Sequence, residues 1–558
     1  MMRRQMYFFF FLGFLFNCTA AQPAAPPPAH MVINGSAGGI CVGPGTHWVF
    51  AGESEWHLDQ RGSGALTMDH LTLAGKVFNL EAGTALTVTG SLVNPRGKAG
   101  LILRADETNT ASLIHHSPQV EASVERFVPG VPDWSASLAT YWHLLSSPVA
   151  AQGLETVVSD PESGQGRSDF YGWDEVANRW VNYRQSTDFE TFNQGMALNP
   201  GQGYLAAYEK DQTLIFEGEL GVGNLYCNSL TLTGDEIFGG WHLLGNPYAA
   251  ALDWNASGWK RDGLLGEVHI WDNHRGNYIS ANGGVGDFDG IIGPHQAMFV
   301  KVASPDKAAS MEIPASARVH AGIAASDDNK KTLPDGVLRL EVEARRSDRR
   351  DVLYVRLDGR DSLAFNPGLD AHKLFGAAAA PFLAAFKADR PLSIVSLPPD
   401  ISVLPLWFGE GEYQDFSLQV SGVEGLDPSL SLWLEDQATG KMTDLRQMPA
   451  YDFMAEETDG PRFLLKFSKF AVDVSPVSGE EIEDIQIWTY DGKVYVKLPM
   501  EAAPAMIMIT GLDGRMLRRV ALRQGGVHTL DVPGPRVPVV VGVTGQEGRG
   551  ERKVVGRR

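Results

Sequence analysis

Three groups of residues have the types and spacing that chemistry would need, and each falls short of a site. His269-Ile270-Trp271-Asp272-Asn273-His274 is the nearest to a metal-binding group. Read as a hairpin it puts His269 and His274 on opposite sides of the turn, and no carboxylate-plus-His set completes a tetrahedral zinc shell. His115 and His116 are adjacent, so on a strand their rings face opposite ways. Asp287-Phe288-Asp289-Gly290 has the carboxylate spacing of a Ca²⁺-binding turn but lacks the later ligands of a full loop, which leaves an acidic surface turn. The chain has no Gly-x-Ser-x-Gly elbow, His-Glu-x-x-His pair, P-loop or Gly-x-Gly-x-x-Gly turn. The expectation is a non-enzymatic protein without catalytic residues, metal or cofactor. A glycosidase needs only two carboxylates placed apart in space, and 67 acidic residues make any chosen pair uninformative. An extracellular polysaccharide-acting hydrolase with a dispersed carboxylate pair therefore stays open as an alternative.

Aromatic residues are the other candidates. Trp173, Trp180 and Trp271 lie in hairpin-like segments and are the candidate ligand contacts. The plainer reading is that they are core or near-core aromatics, each needing a partner for its indole N–H. Exposed, the same rings would stack on a carbohydrate. Their segments belong to an internal duplication. Trp142-His143-Leu144-Leu145-Ser146-Ser147-Pro148 recurs as Trp241-His242-Leu243-Leu244-Gly245-Asn246-Pro247. Gly172-Trp173-Asp174 with Trp180-Val181-Asn182-Tyr183 recurs as Ile270-Trp271-Asp272 with Gly276-Asn277-Tyr278-Ile279. Pro200-Gly201-Gln202-Gly203-Tyr204 recurs as Pro294-His295-Gln296-Ala297-Met298. Three anchors in one order at nearly one separation predict two tandem β-sandwich modules, 120–218 and 219–320, with Trp142 and Trp241 as equivalent core positions and Trp173 equivalent to Trp271.

The elements that must carry these residues read as all-β and multidomain. From 31 to 119, short runs such as Val77-Phe78-Asn79-Leu80, Leu86-Thr87-Val88-Thr89 and Leu101-Ile102-Leu103 follow one another with Gly-bearing turns. That spacing leaves no room for crossover helices and predicts a β-solenoid-like region or a small sandwich. Residues 321–331 are polar and read as a linker, and 332–475 as a further β-sandwich whose Asp370-Ala371-His372-Lys373-Leu374-Phe375-Gly376 reads as framework.

The last segment, 476–558, is a run of strands around short turns: Ile485 to Leu498 around Asp491-Gly492, Ala505 to Thr510, then Gly511-Leu512-Asp513-Gly514-Arg515, Val539 to Val543, and Arg552-Lys553-Val554-Val555. From Gly511 onward it carries ten Lys/Arg against four Asp/Glu, on a chain whose net charge is −20. This order resembles the C-terminal sorting domain of the type IX secretion system, an Ig-like β-sandwich that directs cargo across the outer membrane of certain Gram-negative bacteria. On that resemblance Gly511, Asp513, Gly514, Arg515 and Lys553 are the sorting-motif residues, and the secretion and surface-attachment machinery are partners. The sequence departs from the family where Pro538 precedes Val539, since proline cannot donate to a ladder and the strand must begin after it or lie at an edge. Residues 77–116 and 332–470 likewise resemble modules that precede the sorting domain in such cargo.

The other end agrees. Met1-Met2-Arg3-Arg4 and the apolar run from Tyr7 to Phe16 read as a signal peptide, residues 1–21, ending in Thr19-Ala20-Ala21, with a lipoprotein box at Cys18 as its rival. A Pro-rich linker, 22–30, follows. Only Cys41 and Cys227 would remain after cleavage, and they read as small buried hydrophobes. The acidic balance argues against nucleic-acid binding, and no later segment reads as a transmembrane span. The sequence thus predicts a secreted or cell-surface-anchored protein, adhesive or ligand-binding, with a glycan or an extracellular protein as its ligand. A structural spacer of the surface is a third reading.

Overall fold

The structure is a computed structural model describing residues 29–34, 45–61, 64–131, 134, 141–158, 166–321, 333–357, 363–387, 390–398, 400–456, 460–468, 486–490, 493–498, 505–511, 516–522, 526–531, 539–545 and 550–555. The signal peptide, Cys18, Cys41, the linker 322–331 and Asp513, Gly514 and Arg515 of the sorting motif lie outside these residues. The chain is all-β and multidomain.

The N-terminal region is a solenoid-like stack of parallel strands. His47–Arg61 pairs with His70–Leu80, and that strand with Leu101–Leu103, which pairs with Glu121–Val128. The registers align Leu58, Leu80, Leu103 and Val124, so each coil buries one aliphatic side chain on the last. All four are fully buried, and so is the second row, Leu66, Leu86 and Leu113. Each coil is too small to bury a face alone, and stacking supplies the core. Ala29–Asn34 already pairs in this sheet, so the stack begins within the stretch read as a Pro-rich linker.

The sequence boundary at 119/120 is not a break in the sheet. Glu121–Val128 and Gln212–Glu219, the first and last strands of the first repeat, pair antiparallel and complete the solenoid sheet. The reason is physical: the last parallel strand, Glu121–Val128, would otherwise present an unpaired edge, and the antiparallel strand that returns from the far end of the repeat covers it.

Inside the repeat, the two copies share one register. His143–Leu145 pairs with Tyr204–Tyr208 so that Leu144 faces Leu205, and Trp241–Gly245 pairs with Ala297–Lys301 so that Leu243 faces Phe299. In the hairpins Trp173 is opposite Trp180, and Trp271 opposite Tyr278. The copies meet through equivalent backbone contacts made twice. Leu145 bridges Gln296, and Gln202 bridges Leu244; Ser146 N donates to His295 O (3.0 Å), and Gly245 N to Gly201 O (2.8 Å). Each contact is its counterpart with the copies exchanged, so the duplication packs as an intramolecular dimer about a pseudo-two-fold axis. The copies differ outside this shared sheet. The first carries an α-helix, Ser186–Asn193, whose Phe189 packs on Phe170, where an all-strand reading had none. The second carries two further three-stranded sheets.

Residues 337–468 form an 11-stranded sheet. It closes over on itself: Phe453, from the edge strand Ala450–Met454, lies 4.9 Å from Phe463 of Phe463–Ser468, near the other edge. The C-terminal segment has a three-stranded and a four-stranded sheet around Ile487, Val494, Val496, Ile507, Ile509 and Val541. Tyr490 pairs with Lys493, and one strand begins at Val539, just after Pro538. Gly511 pairs with Val539 and Lys553 with Val541. Among the described residues no helix is long and apolar enough to cross a membrane.

Candidate functional site

The shared sheets of the two copies turn their aromatic faces toward one another. Trp142, Tyr171, Trp173 and Trp180 from the first meet Trp241, Trp271, Tyr278 and Phe299 from the second in one apolar cluster. Phe299 is its centre, with ring centroids 6.0 Å from Trp173, 6.1 Å from Trp180 and 5.7 Å from Tyr278, all edge-on. Edge-to-face packing of this kind adds to the burial energy of each ring. Trp173 also donates its indole N–H to the backbone carbonyl of Trp241 at 2.7 Å.

The cluster does not close completely. A cavity of about 220 Å³ opens between three walls: Trp173 and Trp180 of the first copy, Trp241, Tyr278 and Phe299 of the second, and the segment His372 to Phe375 with Pro391 from the 11-stranded sheet. Phe238 and Phe375, at its lining, keep 60% and 45% of their surface in solvent. Two large apolar rings left exposed beside an apolar hollow make this the candidate binding cleft of the described residues.

Buried polar contacts hold each wall. Glu175, in the turn after Trp173, accepts hydrogen bonds from Thr231 Oγ1 (2.7 Å), Thr233 N (2.6 Å) and Gly240 N (3.0 Å). It thereby fixes the 231–240 loop, which carries Ile237 and Phe238 over the cleft. Burial alone would raise its pKa, but these hydrogen bonds, with His242 nearby, hold the carboxyl below the ordinary glutamate value. Lys301, behind Trp241, is buried with its ammonium 5.0 Å from the indole and donating to Gly239 O. Burial pulls it down to about 8 although Glu267 works against the fall.

At the back of the cleft, Glu267 joins two histidines from different sheets. His269 Nε2 lies 2.9 Å from Glu267 Oε2; His372 donates its backbone N–H to that oxygen at 2.6 Å, and His372 Nδ1 lies 2.6 Å from Oε1. All three residues are buried. Burial favours the protonated acid, but His372 and His269 overcome it and hold the Glu267 carboxyl well below the usual range. An ionised carboxylate only accepts, so it fixes His269 with its proton on Nε2 and His372 with one on Nδ1. Burial also pulls the His269 pKa down. His372 Nε2 is buried and has no hydrogen-bond partner among the described residues. Next to it, Lys373 Nζ is 2.5 Å from both oxygens of the buried Asp351.

Of the three sequence candidates, Trp173 and Trp180 line this cleft. Trp271 does not: it packs on Tyr278 at 5.0 Å and donates to Asn273 Oδ1 at 2.7 Å. Sequence reasoning missed Tyr278, Phe299 and the whole wall from the 11-stranded sheet, because nothing local ties His372 to a hairpin a hundred residues earlier. It also denied His269 a carboxylate-plus-His set, and the fold supplies one from Glu267 and His372. That set is engaged in its own hydrogen bonds, and among the described residues no group of three or more His, Cys, Asp or Glu could hold a metal ion. His274 is exposed in its turn, while His115 is buried and His116 exposed. The acidic turn is corrected in part. Asp289 accepts from Ile291 N at 3.0 Å, whereas Asp287 is buried and paired to Arg275 at 3.0 Å. Cys227 is half-buried, packed against the core of the second copy, and burial raises its thiol to about 11.

No protein-family profile matches the chain, and no curated protein sequence matches it. Among solved structures, a β-glucuronidase of Ruminococcus gnavus aligns over 70% of this chain and 44% of its own at 7% identity, TM-score 0.11. The chain thus spans less than half of that protein. Tp47, the 47-kilodalton lipoprotein of Treponema pallidum, aligns over 55% and 86% at 10% identity, TM-score 0.12. The BSP domain of a biofilm associated protein aligns over 78% and 96% at 10% identity, TM-score 0.14.

Proposed function

We propose that this is a non-enzymatic binding protein of the cell surface or the surrounding medium, whose aromatic cleft takes a sugar ring of a glycan. The observation that carries the reading is the cleft itself, where Trp180, Phe238 and Phe375 border a hollow built by both repeats and a third domain. Aromatic faces suit the apolar face of a pyranose, and the hollow is of a size to hold one ring and not a long chain. The lining includes no carboxylate, so a glycosidic bond seated there meets neither of the two carboxylates on which most glycoside hydrolysis depends. That favours binding over the hydrolase alternative.

Purified protein screened on a glycan array, with Trp180→Ala beside it, tests the reading. Binding that falls at least tenfold in the variant supports it. Binding unchanged by Trp180→Ala, or none to any glycan, overturns it, the second result favouring a spacer. Turnover of a polysaccharide lost with a single Asp or Glu substitution would instead establish the hydrolase.

Export by the type IX route rests on the resemblance of residues 485–558 to its sorting domain and on the signal-like N-terminus. The observed two-sheet sandwich is compatible with it. Deleting residues from Ile485 onward should trap the protein in the periplasm, and surface display of that truncation would rule the route out.

A further inference from the structure

We infer that His372 Nε2 is the polar anchor of the cleft, accepting a hydrogen bond from a hydroxyl of an uncharged, hydroxyl-bearing ring. The inference rests on the glycan reading above and narrows it to neutral sugars.

The first ground is an unsatisfied atom. Buried polar groups in folded proteins are paired in the great majority of cases, and each exception asks for a reason. His372 is 2% exposed and lines the cleft, and Nε2 is the one buried side-chain N or O among the cleft's lining residues that lacks a partner. The ring cannot rotate to satisfy it cheaply. Its Nδ1 side is held by Glu267 Oε1 at 2.6 Å, its backbone N–H by Glu267 Oε2 at 2.6 Å, and the ring lies tilted against Phe365 (centroids 4.7 Å apart) and perpendicular to Trp241 (6.1 Å). With the proton committed to Nδ1, the neutral ring leaves Nε2 a lone pair: an acceptor, fixed in place, suited to an O–H donor. Glu267 touches no ligand in this arrangement. It is a positioning residue.

The second ground is that charges at the cleft are already spent. The Lys373 ammonium is matched by Asp351, and the Glu267 carboxylate is an anion whose oxygens are already taken by hydrogen bonds from two histidines and a backbone N–H. An anionic sugar would lose its hydration without gaining a free counter-charge, and burying an unmatched charge is far costlier than burying a paired hydroxyl. Aromatic walls with one fixed acceptor therefore select a ring with one apolar face and at least one hydroxyl.

The test uses the full chain and three probe sets: glucose-, mannose- and galactose-based oligosaccharides, the monodeoxy analogues of whichever binds, and an oligogalacturonate. We expect a neutral oligosaccharide to bind, one monodeoxy analogue to bind about tenfold more weakly, as one lost hydrogen bond predicts, and the oligogalacturonate to bind at least tenfold more weakly. In His372→Phe, which keeps a ring against Phe365 and Trp241, that deoxy discrimination should vanish; in His372→Gln, which restores a carbonyl acceptor, part of it should return. If no sugar binds, the glycan reading itself fails and takes this inference with it. If a neutral sugar binds in a Trp180-dependent way but every monodeoxy analogue binds wild-type protein equally well, the anchor alone is wrong. That arm needs no variant to fold. Oligogalacturonate binding as tight as the neutral sugar would overturn the selection for uncharged rings.

Discussion

Trp173 of the first repeat donates its indole N–H to the backbone carbonyl of Trp241 in the second, 2.7 Å away. The symmetry-related bond would run from Trp271 to Trp142. Instead Trp271 donates to Asn273 Oδ1, and Asn273 Nδ2 reaches His143 Nδ1 at 3.0 Å. The same cross-repeat link is thus made directly on one side and through an asparagine on the other. The cleft opens on the direct side, beside Trp173 and Trp180.

Removing only the donor of that bond isolates its worth. Trp173→Phe keeps an aromatic against Phe299 but leaves the Trp241 carbonyl without the indole, so a loss of ~1–3 kcal/mol is expected. Trp173→Ala also removes the ring and should cost ~3–5 kcal/mol. Urea unfolding monitored by hydrogen exchange in 143–208 and 241–301 measures both, and a Trp173→Phe variant as stable as the wild type would mean that the hydrogen bond contributes nothing.

The pseudo-two-fold contact leaves no room for a side chain at Gly245. A Cβ there would stand 2.4 Å from Ser146 Cβ and 2.6 Å from Gln202 O. Its counterpart in the first copy is Ser146, whose hydroxyl donates to Asn246 O at 2.7 Å. Gly245→Ala should push the copies apart and cost ~1–3 kcal/mol, the range for overpacking. Gly284→Ala is the control for a site with open space around it, although its φ of +77° adds local strain. Thermal melting of the two variants separates the effects, since only the first should also lower protection of Leu145 and Gln202.

Glu175 makes the cleft sensitive to acid. Its folded-state pKa lies below the ordinary 4.5, so the folded form holds its proton less tightly than the unfolded chain. The stabilisation is therefore present above 4.5 and is lost as pH falls through the folded value. Glu175→Gln cannot titrate and cannot accept on both atoms. The stability gap between wild type and Glu175→Gln should be greatest near neutrality and shrink as pH falls below 4.5 and through the folded value, and Phe238 should become more mobile over the same range. A gap that stays constant with pH would show that the loop is not held by the ionised carboxylate.

How far the sequence carries follows from which interactions are local. The solenoid is legible because its side-chain rows recur in short runs, and the repeat because its anchors are strings such as Trp-His-Leu-Leu. The aromatic cluster is half legible: Trp173 and Trp180 stand out, but their centre, Phe299, lies in an ordinary-looking strand. The third wall is not legible at all. His372 reaches the cleft because Ala371–His372 pairs with Arg390–Leu397 and its neighbours bond to the second repeat, contacts between segments that carry no mark of one another. The short helix Ser186–Asn193 escaped notice because two aromatics, Phe189 and Phe192, among eight residues are too few to set a helical period against a strand.

The alignment of that third wall depends on a buried polar interface, which gives the last prediction. Arg275 is fully buried and pairs with Asp272 (3.2 Å) and Asp287 (3.0 Å), and Asp287 also accepts from Tyr354 of the 11-stranded sheet at 3.2 Å. Around it Ser280 bonds Ser393 at 2.7 Å, Asn282 Nδ2 donates to Asp370 O at 2.6 Å, and Asn277 Nδ2 to Pro381 O at 2.9 Å. Asp287→Ala would strand the Arg275 guanidinium with one carboxylate and the Tyr354 hydroxyl with none. Breaking one side of a buried pair costs ~3–5 kcal/mol, mostly through the charge left behind. Since His372 is seated through the same interface, Asp287→Ala should weaken ligand binding as well as stability, although Asp287 does not line the cleft. Asp287→Asn keeps the shape of the side chain and an acceptor for Tyr354 but removes the charge that faces Arg275, so it should cost nearly as much as Asp287→Ala. An Asp287→Asn variant as stable as the wild type in calorimetric melting would mean that the network acts through shape and not through charge.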